Sequence, residues 1–546
     1  MKLTGFLFAA ALLGSCTQPA AEENYTRHVD PKIGTGGHGH VFVGANVPFG
    51  LVQVGPTSIP QTWDWCSGYH ASDSTVIGFS HTHLSGTGIG DLFDITVMPV
   101  VGEVTYARGE ENDPASGLWS YADRTREITK PGYYSVPLVR YGITAELTAT
   151  ERVGLHRYTF PASEKAAVVF DLENGGCWDK ATDTGFRFSD DSTRIAGWRC
   201  STGWAKNQEV YFVAEFSKPA KGISYLQPGE IDDSKMPRIA ARYARVDFDT
   251  AEGEQVLVKV ALSPVSIEGA KANLAAELPG WDFDATAAAA DKAWNDELSK
   301  VKIETEDETS KRIFYTALYH TMVAPSLFCD VNGDYRGADG KVHENPGRDT
   351  YTTFSLWDTY RAAMPLMTVL HPERMPDIIQ TMLHIADEQG RLPVWHLWGN
   401  ETDCMVGNPG IVAVADAIVK GIGGFDREKA FETIRKTAMN PDRGNGLRME
   451  YGYIPCEMFN EAVAYDMEYA LADGAAARAA ETLGKAEDAK YFEERSHSYR
   501  NYFDPATRFM RGRDSRKGWR TPFNAFASTH RADDYCEGNA WQYTWL

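Results

Sequence analysis

The segment Cys536-Glu537-Gly538-Asn539-Ala540-Trp541-Gln542-Tyr543 places a carboxylate beside glycine, amide and aromatic residues. Apolar rings with a few convergent polar groups are typical of a ligand pocket, and this mixture suits a sugar. A carboxyl group held against apolar rings has a raised pKa, which a general acid requires. We therefore predict that Glu537 is a general acid and that Asn539 and Gln542 contact the substrate. The alternative is that Glu537 is only a carboxylate at a helix start, where the helix dipole favours it.

A second segment, Phe354-Ser355-Leu356-Trp357-Asp358-Thr359-Tyr360-Arg361, has the same polar and aromatic character. Trp357 offers an apolar platform for a pyranose ring, and Asp358 can accept hydrogen bonds from two hydroxyl groups. We predict that both residues and Arg361 bind the substrate. The alternative is that Asp358 and Arg361 form an ordinary ion pair on a helix surface, since they are at i and i+3.

A third segment is Trp395-His396-Leu397-Trp398-Gly399-Asn400-Glu401-Thr402-Asp403-Cys404-Met405. It concentrates tryptophan, histidine and carboxylate side chains, and we predict that Glu401 contacts the substrate. Asn400 and Asp403 are candidate calcium ligands, because Ca²⁺ binds the oxygen atoms of carboxylates and amides. The alternative is that the tryptophans belong to the core and that Glu401 is simply solvated.

A histidine pair lies in the segment Gly78-Phe79-Ser80-His81-Thr82-His83-Leu84-Ser85-Gly86-Thr87-Gly88. On a strand, His81 and His83 would face the same way, an arrangement that could bind a metal. The sequence offers no third ligand at a metal-site spacing. We therefore predict that His83 hydrogen-bonds a sugar hydroxyl or the domain interface.

The cysteines beyond the N-terminus have no zinc-site spacing. Cys177 and Cys200 could pair across a hairpin in an exported protein. The others that lie in motif-like segments are predicted to be small thiols that line a pocket. These are Cys66, Cys404 and Cys536.

Two halves of the chain carry different periodicities and must position these segments. Residues 25–285 contain short alternating runs separated by turn signals, which predicts an antiparallel β-sandwich. Residues 286–300 are predicted to form a linker helix, and residues 301–546 show the helical patterns of an (α/α)6-type barrel. The patterns supply fewer helices than a closed barrel contains, so we expect the barrel to be incomplete at the C-terminus. The predicted helices are Lys311–Val323, Thr353–Thr368, Pro376–Ala386, Gly410–Gly421, Arg427–Thr437, Glu461–Ala472, Ala475–Leu483 and Ala486–Tyr502.

The net charge and the N-terminal sequence indicate the partners and the cellular location of the protein. The 546 residues carry a net charge of −21, which argues against nucleic acid or an anionic membrane surface as a partner. An apolar run ending in Leu13-Gly14-Ser15-Cys16 predicts a signal peptide over residues 1–16, and it resembles a bacterial lipobox. We predict lipidation at Cys16, a polar tether over residues 17–24, and an exported lipoprotein in the outer membrane, periplasm or cell surface. The alternative is an ordinary secretory signal with an incidental cysteine.

Motifs in order along nearly the whole chain resemble glycoside hydrolase family 92, the calcium-dependent, inverting, exo-acting α-mannosidases. The breadth of the match makes it more specific than any single motif. The matching segments are Asp30-Pro31-Lys32-Ile33-Gly34-Thr35-Gly36, Pro48-Phe49-Gly50, Cys66-Ser67-Gly68-Tyr69, Phe79-Ser80-His81-Thr82-His83-Leu84-Ser85-Gly86, Trp357-Asp358-Thr359-Tyr360-Arg361, Gly399-Asn400-Glu401 and Glu537-Gly538-Asn539-Ala540-Trp541-Gln542-Tyr543.

The resemblance implies a β-sandwich packed on an (α/α)6 barrel, with the site at their interface. It implies that Glu537 protonates the departing glycosidic oxygen and that Asp358 binds the terminal mannose. It also implies Ca²⁺ as a cofactor that contacts sugar hydroxyls and helps to distort the ring. The expected partners are N-glycans or mannans with terminal α-linked mannose, with the α-1,2 linkage as the leading expectation.

One departure from the family pattern concerns the catalytic base. An inverting enzyme needs a second carboxylate about 6.5–9.5 Å from the acid. In the family the base aspartates follow the acid in a Gly-Asn-Asp-Asp-like segment, which this sequence lacks, so we expect the base to be absent. Two alternatives stay open. One is a catalytically inactive, lipid-anchored glycan-binding protein, and the other is an (α/α)6 enzyme of another specificity, such as a glucosidase or a phosphorylase.

Overall fold

The structure, a computed structural model, describes residues 23–187, 192–226, 229–230, 238–345, 347–529, 531 and 533–546. The predicted signal peptide, its Cys16 and most of the predicted tether lie outside these residues. Among the described helices, none combines the length and the apolar character needed to cross a lipid bilayer.

The first half of the chain is built from antiparallel strands, as the alternating pattern predicts. The strands are β1 (Gly55–Thr57), β2 (Thr75–Val76), β3 (Gly78–Ser80), β4 (Thr96–Val101), β5 (Ser120–Tyr121), β6 (Ile128–Lys130), β7 (Tyr133–Leu138), β8 (Ile143–Ala149), β9 (Val153–Phe160), β10 (Ser163–Asp171), β11 (Lys180–Arg187), β12 (Arg194–Thr202), β13 (Gln208–Phe216), β14 (Gly222–Leu226), β15 (Gly229–Glu230), β16 (Arg238–Ala240), β17 (Tyr243–Thr250) and β18 (Glu254–Ser263).

These strands form two main sheets that share one core. The smaller sheet has the order β1-β3-β4-β10-β17-β14, and the larger has the order β15-β16-β11-β12-β13-β18-β9-β8-β7-β6. Alternation along β8 buries Ile143, Ala145 and Leu147. Phe170 of the smaller sheet stacks on Phe212 of the larger, with ring centroids 5.9 Å apart, so the inner faces of the two sheets meet.

The cysteine pair suggested by the sequence does not form. All cysteines in the described part of the chain are free, including Cys177 and Cys200. The register of β11 and β12 places Cys200 opposite Asp183, which lies beyond Cys177 along the chain. Cys177 is instead close to the backbone at Gly90, where a Cβ atom would lie 2.6 Å from the Cβ of Cys177.

The second half of the chain is mainly helical and carries short strand pairs between its helices. The helices are α1 (Ile267–Glu277), α2 (Phe283–Leu298), α3 (Glu308–His320), α4 (Leu356–Thr359), α5 (Ala363–Leu370), α6 (Met375–Gln389), α7 (Pro409–Val419), α8 (Arg427–Ala438), α9 (Asn445–Tyr451), α10 (Ala462–Thr482), α11 (Ala486–Arg495) and α12 (Ala540–Tyr543). The short strands are β19 (Ser326–Leu327), β20 (Tyr335–Arg336), β21 (Val342–His343), β22 (Tyr351–Thr352), β23 (Phe354–Ser355), β24 (Trp395–Leu397), β25 (Asn400–Glu401), β26 (Phe503–Asp504) and β27 (Phe509–Met510).

Two helices connect the halves. Helix α1 lays Ile267 and Leu274 on the face of the larger sheet that points away from the sandwich core, against Val153 and Leu155. Helix α2, which includes most of the predicted linker helix, starts at an Asp282 side chain that accepts the N–H of Ala285. The order of a β-rich domain followed by a helical domain confirms the predicted fold class.

Helix α10 organises the helical domain. It packs on α7, α8 and α11, and its alanine-rich face permits close helix packing. It begins after Glu461, whose φ of 56° turns the preceding loop sharply into the helix. Because Glu461 and Tyr465 lie at this end of α10, the helix carries both side chains to the junction with the N-terminal domain.

Candidate active site

An open cavity of about 1240 Å³ lies between the two domains. Its lining is rich in aromatic and carboxylate side chains from both of them. The lining residues are Trp63, Thr87, Gly88, Ile89, Trp178, Trp204, Asp358, Trp395, Thr402, Asp403, Cys404, Met405, Glu457, Met458, Phe459, Asn460, Glu461, Tyr465, Arg531, Cys536 and Glu537.

Four tryptophans, with Phe459 and Tyr465, supply the aromatic part of this lining. Trp63 and Trp178 are 50% and 47% exposed, so broad ring faces remain open to a ligand. Trp204 packs edge-to-face on Trp395 with centroids 4.5 Å apart, which joins the two domains at the cavity. Trp63, Trp178 and Trp204 were not predicted, because none lies in a segment from which substrate contacts were predicted.

Five carboxylates line the same cavity, namely Asp358, Asp403, Glu457, Glu461 and Glu537. Asp358 and Glu537 are both exposed to solvent, whereas Glu461 is buried at the start of α10. The structure therefore brings together the predicted sugar-binding carboxylate and the predicted acid, although they lie far apart in the sequence.

Asp358 sits in the middle of the one-turn helix α4 and accepts a hydrogen bond from the Ser355 hydroxyl. Arg361 does not pair with Asp358. Its Nη2 donates to Oε1 of Glu468 at 2.7 Å, and the indole N–H of Trp357 donates to the same oxygen at 3.1 Å. The alternative of a local Asp358–Arg361 ion pair is therefore wrong, and Glu468 is a partner that the sequence did not indicate.

Glu537 adopts a left-handed backbone with φ of 49° and lies two residues before Asn539, the N-cap of the short helix α12. Its side chain lines the large cavity and also a neighbouring cavity of about 330 Å³. Trp357, Arg361 and Gln542 line this smaller cavity as well. The Glu537 side chain thus stands between two solvent-accessible spaces, one on each side of its segment.

The two amide residues after Glu537 form a capping box. The Asn539 side chain accepts the N–H of Gln542 at 3.2 Å, and the Gln542 side chain accepts the N–H of Asn539 at 3.0 Å. Their side-chain oxygens therefore accept two backbone N–H groups at the start of α12. The predicted substrate contacts of both residues stay predictions, and the structure assigns these oxygens to the helix start.

Glu401 lies in the hairpin of β24 and β25, next to the cavity. Its carboxylate accepts three backbone N–H groups, from Val394 at 2.8 Å, Trp395 at 2.9 Å and Asp403 at 3.0 Å. These bonds fix the loop that carries Trp395 and Asp403 into the cavity. The predicted contact of Glu401 with substrate stays a prediction.

The two candidate calcium ligands already have partners. The Asn400 side chain bonds the backbone of Asn207 in the N-terminal domain at 3.0 Å through both its oxygen and its nitrogen. The Asp403 carboxylate pairs with Arg391 and, at 3.2 Å, with Arg443. Two cationic side chains on one carboxylate leave it poorly suited to a further cation, so this pair does not fit a calcium ion.

Another acidic group, Glu297 with His371 and Glu373, has the spacing of a metal site. The Lys300 ammonium is 2.8 Å from Glu297 and 3.0 Å from Glu373, and its Nζ is 3.3 Å from Nδ1 of His371. Although burial opposes ionisation, hydrogen bonds from His371 and Lys300 lower the pKa of Glu297 to about 2. Because a lysine cation already fills this group, it does not fit a metal ion either.

His83 lies inside the N-terminal domain rather than on the cavity. Its Nδ1 donates to the carbonyl of Gln53 at 2.8 Å, and its ring packs against Phe93 with centroids 5.1 Å apart. His81 has different partners, and its Nε2 is 2.9 Å from Nε2 of His156. Burial lowers the pKa of His83 to about 4 and that of His81 to about 3. Both rings serve the packing of the domain.

A cavity walled by tryptophans and carboxylates, at the junction of a β-sandwich and a helical domain, defines a class of carbohydrate-processing proteins. The chain belongs to glycosyl hydrolase family 92. The models of the N-terminal domain and of the catalytic domain of this family match residues 28–263 and 269–546.

Solved structures and one curated protein resemble the chain. An α-mannosidase of family 92 from Bacteroides thetaiotaomicron, in complex with mannoimidazole, is 38% identical with a TM-score of 0.92 over 96% of this chain and 70% of that chain. An inverting mannosidase from the same organism is 28% identical with a TM-score of 0.84 over 97% of this chain and 71% of that chain. An uncharacterized secreted glycosidase of Arthroderma benhamiae is 25% identical over 93% of this chain. The chain spans 66% of the length of that curated relative.

Proposed function

We propose that the protein is an exo-acting α-mannosidase that removes terminal α-linked mannose from N-glycans or mannans with inversion of configuration. The observation that carries this proposal is that Asp358 and Glu537 line one cavity together with exposed tryptophans. The two mannosidase structures of the same family support the substrate class. The α-1,2 linkage is the first one to test.

In this assignment Asp358 binds hydroxyl groups of the terminal mannose, since its exposed carboxylate has acceptor capacity beyond the Ser355 bond. Glu537 donates a proton to the departing glycosidic oxygen, a role that requires contact with the open cavity. Trp63 and Trp178 offer ring faces on which a sugar of the departing glycan can stack. Inversion also requires a water held by a second carboxylate, and we assign no described residue to that role.

Calcium dependence is the expectation that follows from the family. Neither Asn400 with Asp403 nor the group around Lys300 fits the ion, so we derive no catalytic step through it. We further propose that the protein is exported and anchored through a lipid on Cys16, on the strength of the Leu13-Gly14-Ser15-Cys16 segment.

The test is the release of mannose from α-1,2-mannobiose, with Ca²⁺ and with EDTA, followed by NMR to identify the first anomer formed. Mannose that the wild-type chain releases is expected to appear first as the β-anomer, the product of inversion. E537Q is expected to lose roughly 10²–10⁴-fold in rate, the usual contribution of a general acid. E111Q is the control, because Glu111 is exposed and lines neither cavity, so its replacement should leave the rate unchanged.

Each outcome distinguishes between hypotheses about the activity of the protein. Binding of mannoimidazole without mannose release would favour the catalytically inactive glycan-binding protein. Equal losses in E537Q and E111Q would remove Glu537 from the acid role. A wild-type chain that neither binds mannoimidazole nor releases mannose would show that the proposal is wrong. Parallel reactions with α-1,3- and α-1,6-mannobiose decide the linkage.

A further inference from the structure

Glu468 of α10 is a buried carboxylate that gathers the side chains around Asp358. Only 4% of its surface is exposed. It accepts hydrogen bonds from Trp357 Nε1 at 3.1 Å, from the Tyr360 hydroxyl at 2.7 Å and from Arg361 Nη2 at 2.7 Å. Burial and the nearby Glu468 carboxylate raise the pKa of Tyr360, which keeps its hydroxyl a donor to Glu468.

The segment that carries Asp358 depends on such outside support. Helix α4 has four residues, and no side chain caps its N-terminus. A single helical turn is not stable by itself, because fixing its backbone angles costs more than its few hydrogen bonds return. Residues on both sides of Asp358, namely Trp357 and the pair Tyr360 and Arg361, are bonded to Glu468. The place of Asp358 is therefore set by a carboxylate that does not itself line the large cavity.

Glu468 also contacts the other segments that shape the site. A Cβ atom on Gly407 would lie 2.4 Å from the Cβ of Glu468, so the loop that follows Asp403 packs directly on this side chain. Glu468 and Glu537 line the same smaller cavity. One side chain thus lies beneath the segment of Asp358, the loop of Asp403 and the segment of Glu537.

The neighbouring acids of α10 show that burial alone does not produce this arrangement. Asp466 and Asp473 are also buried on α10, and both bond Arg448 at 2.6–2.7 Å. Neither lines the cavities that contain Asp358 or Glu537. Asp473 is therefore a matched control, since it is a buried carboxylate with an arginine partner on the same helix.

We propose that Glu468 is a positioning residue that holds Asp358 in its sugar-binding place relative to Glu537. This inference rests on the proposed function, because it assigns Asp358 to the terminal mannose. The ion pair of Glu468 with Arg361 is half-buried, so its charge-assisted bonds are stronger than those of a surface pair.

The binding test measures the affinity of the full chain for mannoimidazole by calorimetry, with the thermal midpoint recorded for each variant. E468Q keeps the shape of the side chain and removes its charge. It is expected to weaken binding about tenfold, the effect of losing roughly one charged hydrogen bond. Y360F removes one bond only and should give a smaller loss. D473N should lower the thermal midpoint while leaving the affinity unchanged.

A second measurement needs no ligand. Amide hydrogen exchange of peptides that cover residues 354–362 should be faster in E468Q and in Y360F than in the wild-type chain, and unchanged in D473N. This measurement distinguishes a failure of the proposed function from a failure of the role proposed for Glu468. If the wild-type chain neither binds mannoimidazole nor releases mannose, the proposed function is wrong, and the exchange data still decide whether Glu468 holds the Asp358 segment.

The inference is overturned if E468Q and D473N change affinity and exchange in the same way, because Glu468 would then only stabilise the fold. It is also overturned if E468Q leaves both the affinity and the exchange of residues 354–362 unchanged. If E468Q fails to fold, Y360F carries the same two comparisons.

Discussion

The side chain of Asn400 pairs with the backbone of Asn207 across the domain junction. The Asn207 N–H donates to Oδ1 of Asn400 at 3.0 Å, and Nδ2 of Asn400 donates to the Asn207 carbonyl at 3.0 Å. The amide therefore completes a two-bond bridge of the kind that adjacent strands form. Because Asn207 follows Trp204, this bridge fixes the loop that places Trp204 on Trp395 in the cavity.

We expect N400A to loosen that loop. The substitution removes both bonds to Asn207, and the loss of stability should be about 1–2 kcal/mol. Lys206 is exposed in the same loop, so trypsin should cleave after Lys206 faster in N400A than in the wild-type chain. The measurement is limited proteolysis under native conditions, with the cleavage site identified by mass spectrometry.

N332A is the matched control for this prediction. The Asn332 side chain donates to Asp334 at 2.7 Å within one local turn and bridges no domains. Its replacement should not change cleavage after Lys206. Equal cleavage rates in N400A and the wild-type chain would contradict the proposed role of the bridge.

A relay of neutral side chains lies in the core of the N-terminal domain. Nδ1 of His81 donates to the Ile95 carbonyl at 2.6 Å, so its Nε2 must accept from Nε2 of His156 at 2.9 Å. Nδ1 of His156 then accepts from the Tyr158 hydroxyl at 2.7 Å. These partners assign the tautomers, and a proton added at Nε2 of His81 would break the relay by placing two N–H groups against each other.

His83, a separate buried histidine that bonds the Gln53 carbonyl, predicts loss of stability in acid. Burial lowers the pKa of His83 to about 4, below its value of about 6.5 in the unfolded chain. The unfolded state therefore binds more protons between these values, so the free energy of unfolding decreases as the pH falls from about 6.5 to 4. H83Q should remove up to about 3 kcal/mol of that decrease. Urea unfolding at a series of pH values measures it.

H497Q is the control for the histidine prediction. The side chain of His497 is 40% exposed at the end of α11, so its replacement should leave the pH profile of the wild-type chain unchanged. If H83Q and the wild-type chain lose the same stability between pH 6.5 and 4, the buried imidazole of His83 does not contribute to acid unfolding.

The sequence was sufficient for the fold class, for the family and for the meeting of Asp358 with Glu537. Alternating and helical periods are local properties, and the motifs of the family are short continuous segments. Partners that are distant in the chain were not predictable in this way. Glu468 lies in an alanine-rich helical pattern, and Asn400 bonds a backbone group, so neither residue type indicates its partner.

Some predicted helix boundaries were wrong, and each error has a physical reason. The predicted helix Thr353–Thr368 starts only at Leu356, because Thr353 has a φ of 63° and Phe354–Ser355 pairs with β24. It is then divided into α4 and α5, because Ala362 has a non-helical φ of −142°. The predicted helices Glu461–Ala472 and Ala475–Leu483 are one helix, α10, since Gly474 stays helical where a Cβ would approach only Ser496, at 3.8 Å. Tertiary packing overrides the local preference of glycine in this case.

Asp330 gives a pH prediction of the opposite sign. It is buried between the domains, where it accepts bonds from Ser263 at 2.8 Å and from Asn273 at 2.8 Å. Burial raises its pKa to about 6, above the usual value of 3.8. The folded state therefore binds more protons between pH 3.8 and 6, and this carboxyl group reduces the free energy of unfolding as the pH rises through that window.

D330N should remove this pH dependence, because a carboxamide does not titrate and its oxygen can still accept from Asn273. Relative to the wild-type chain, D330N should gain about 2 kcal/mol as the pH rises from 4 to 7. Urea unfolding provides the measurement, and D334N in the same turn is the control. A constant difference between D330N and the wild-type chain across this range would show that Asp330 titrates normally.

The contact between Gly407 and Glu468 gives a stability prediction with its own control. Gly407 has a φ of 77°, and an added Cβ would lie 2.4 Å from the Cβ of Glu468. Gly421 has a φ of 73°, and an added Cβ there would meet nothing within 4 Å. Thermal unfolding should therefore show a loss of about 1–2 kcal/mol in G421A, from the left-handed backbone alone, and a clearly larger loss in G407A. G407A should also weaken mannoimidazole binding, because it displaces the side chain that supports Asp358. Equal losses in both variants would mean that the Gly407 loop can move away from Glu468 without cost.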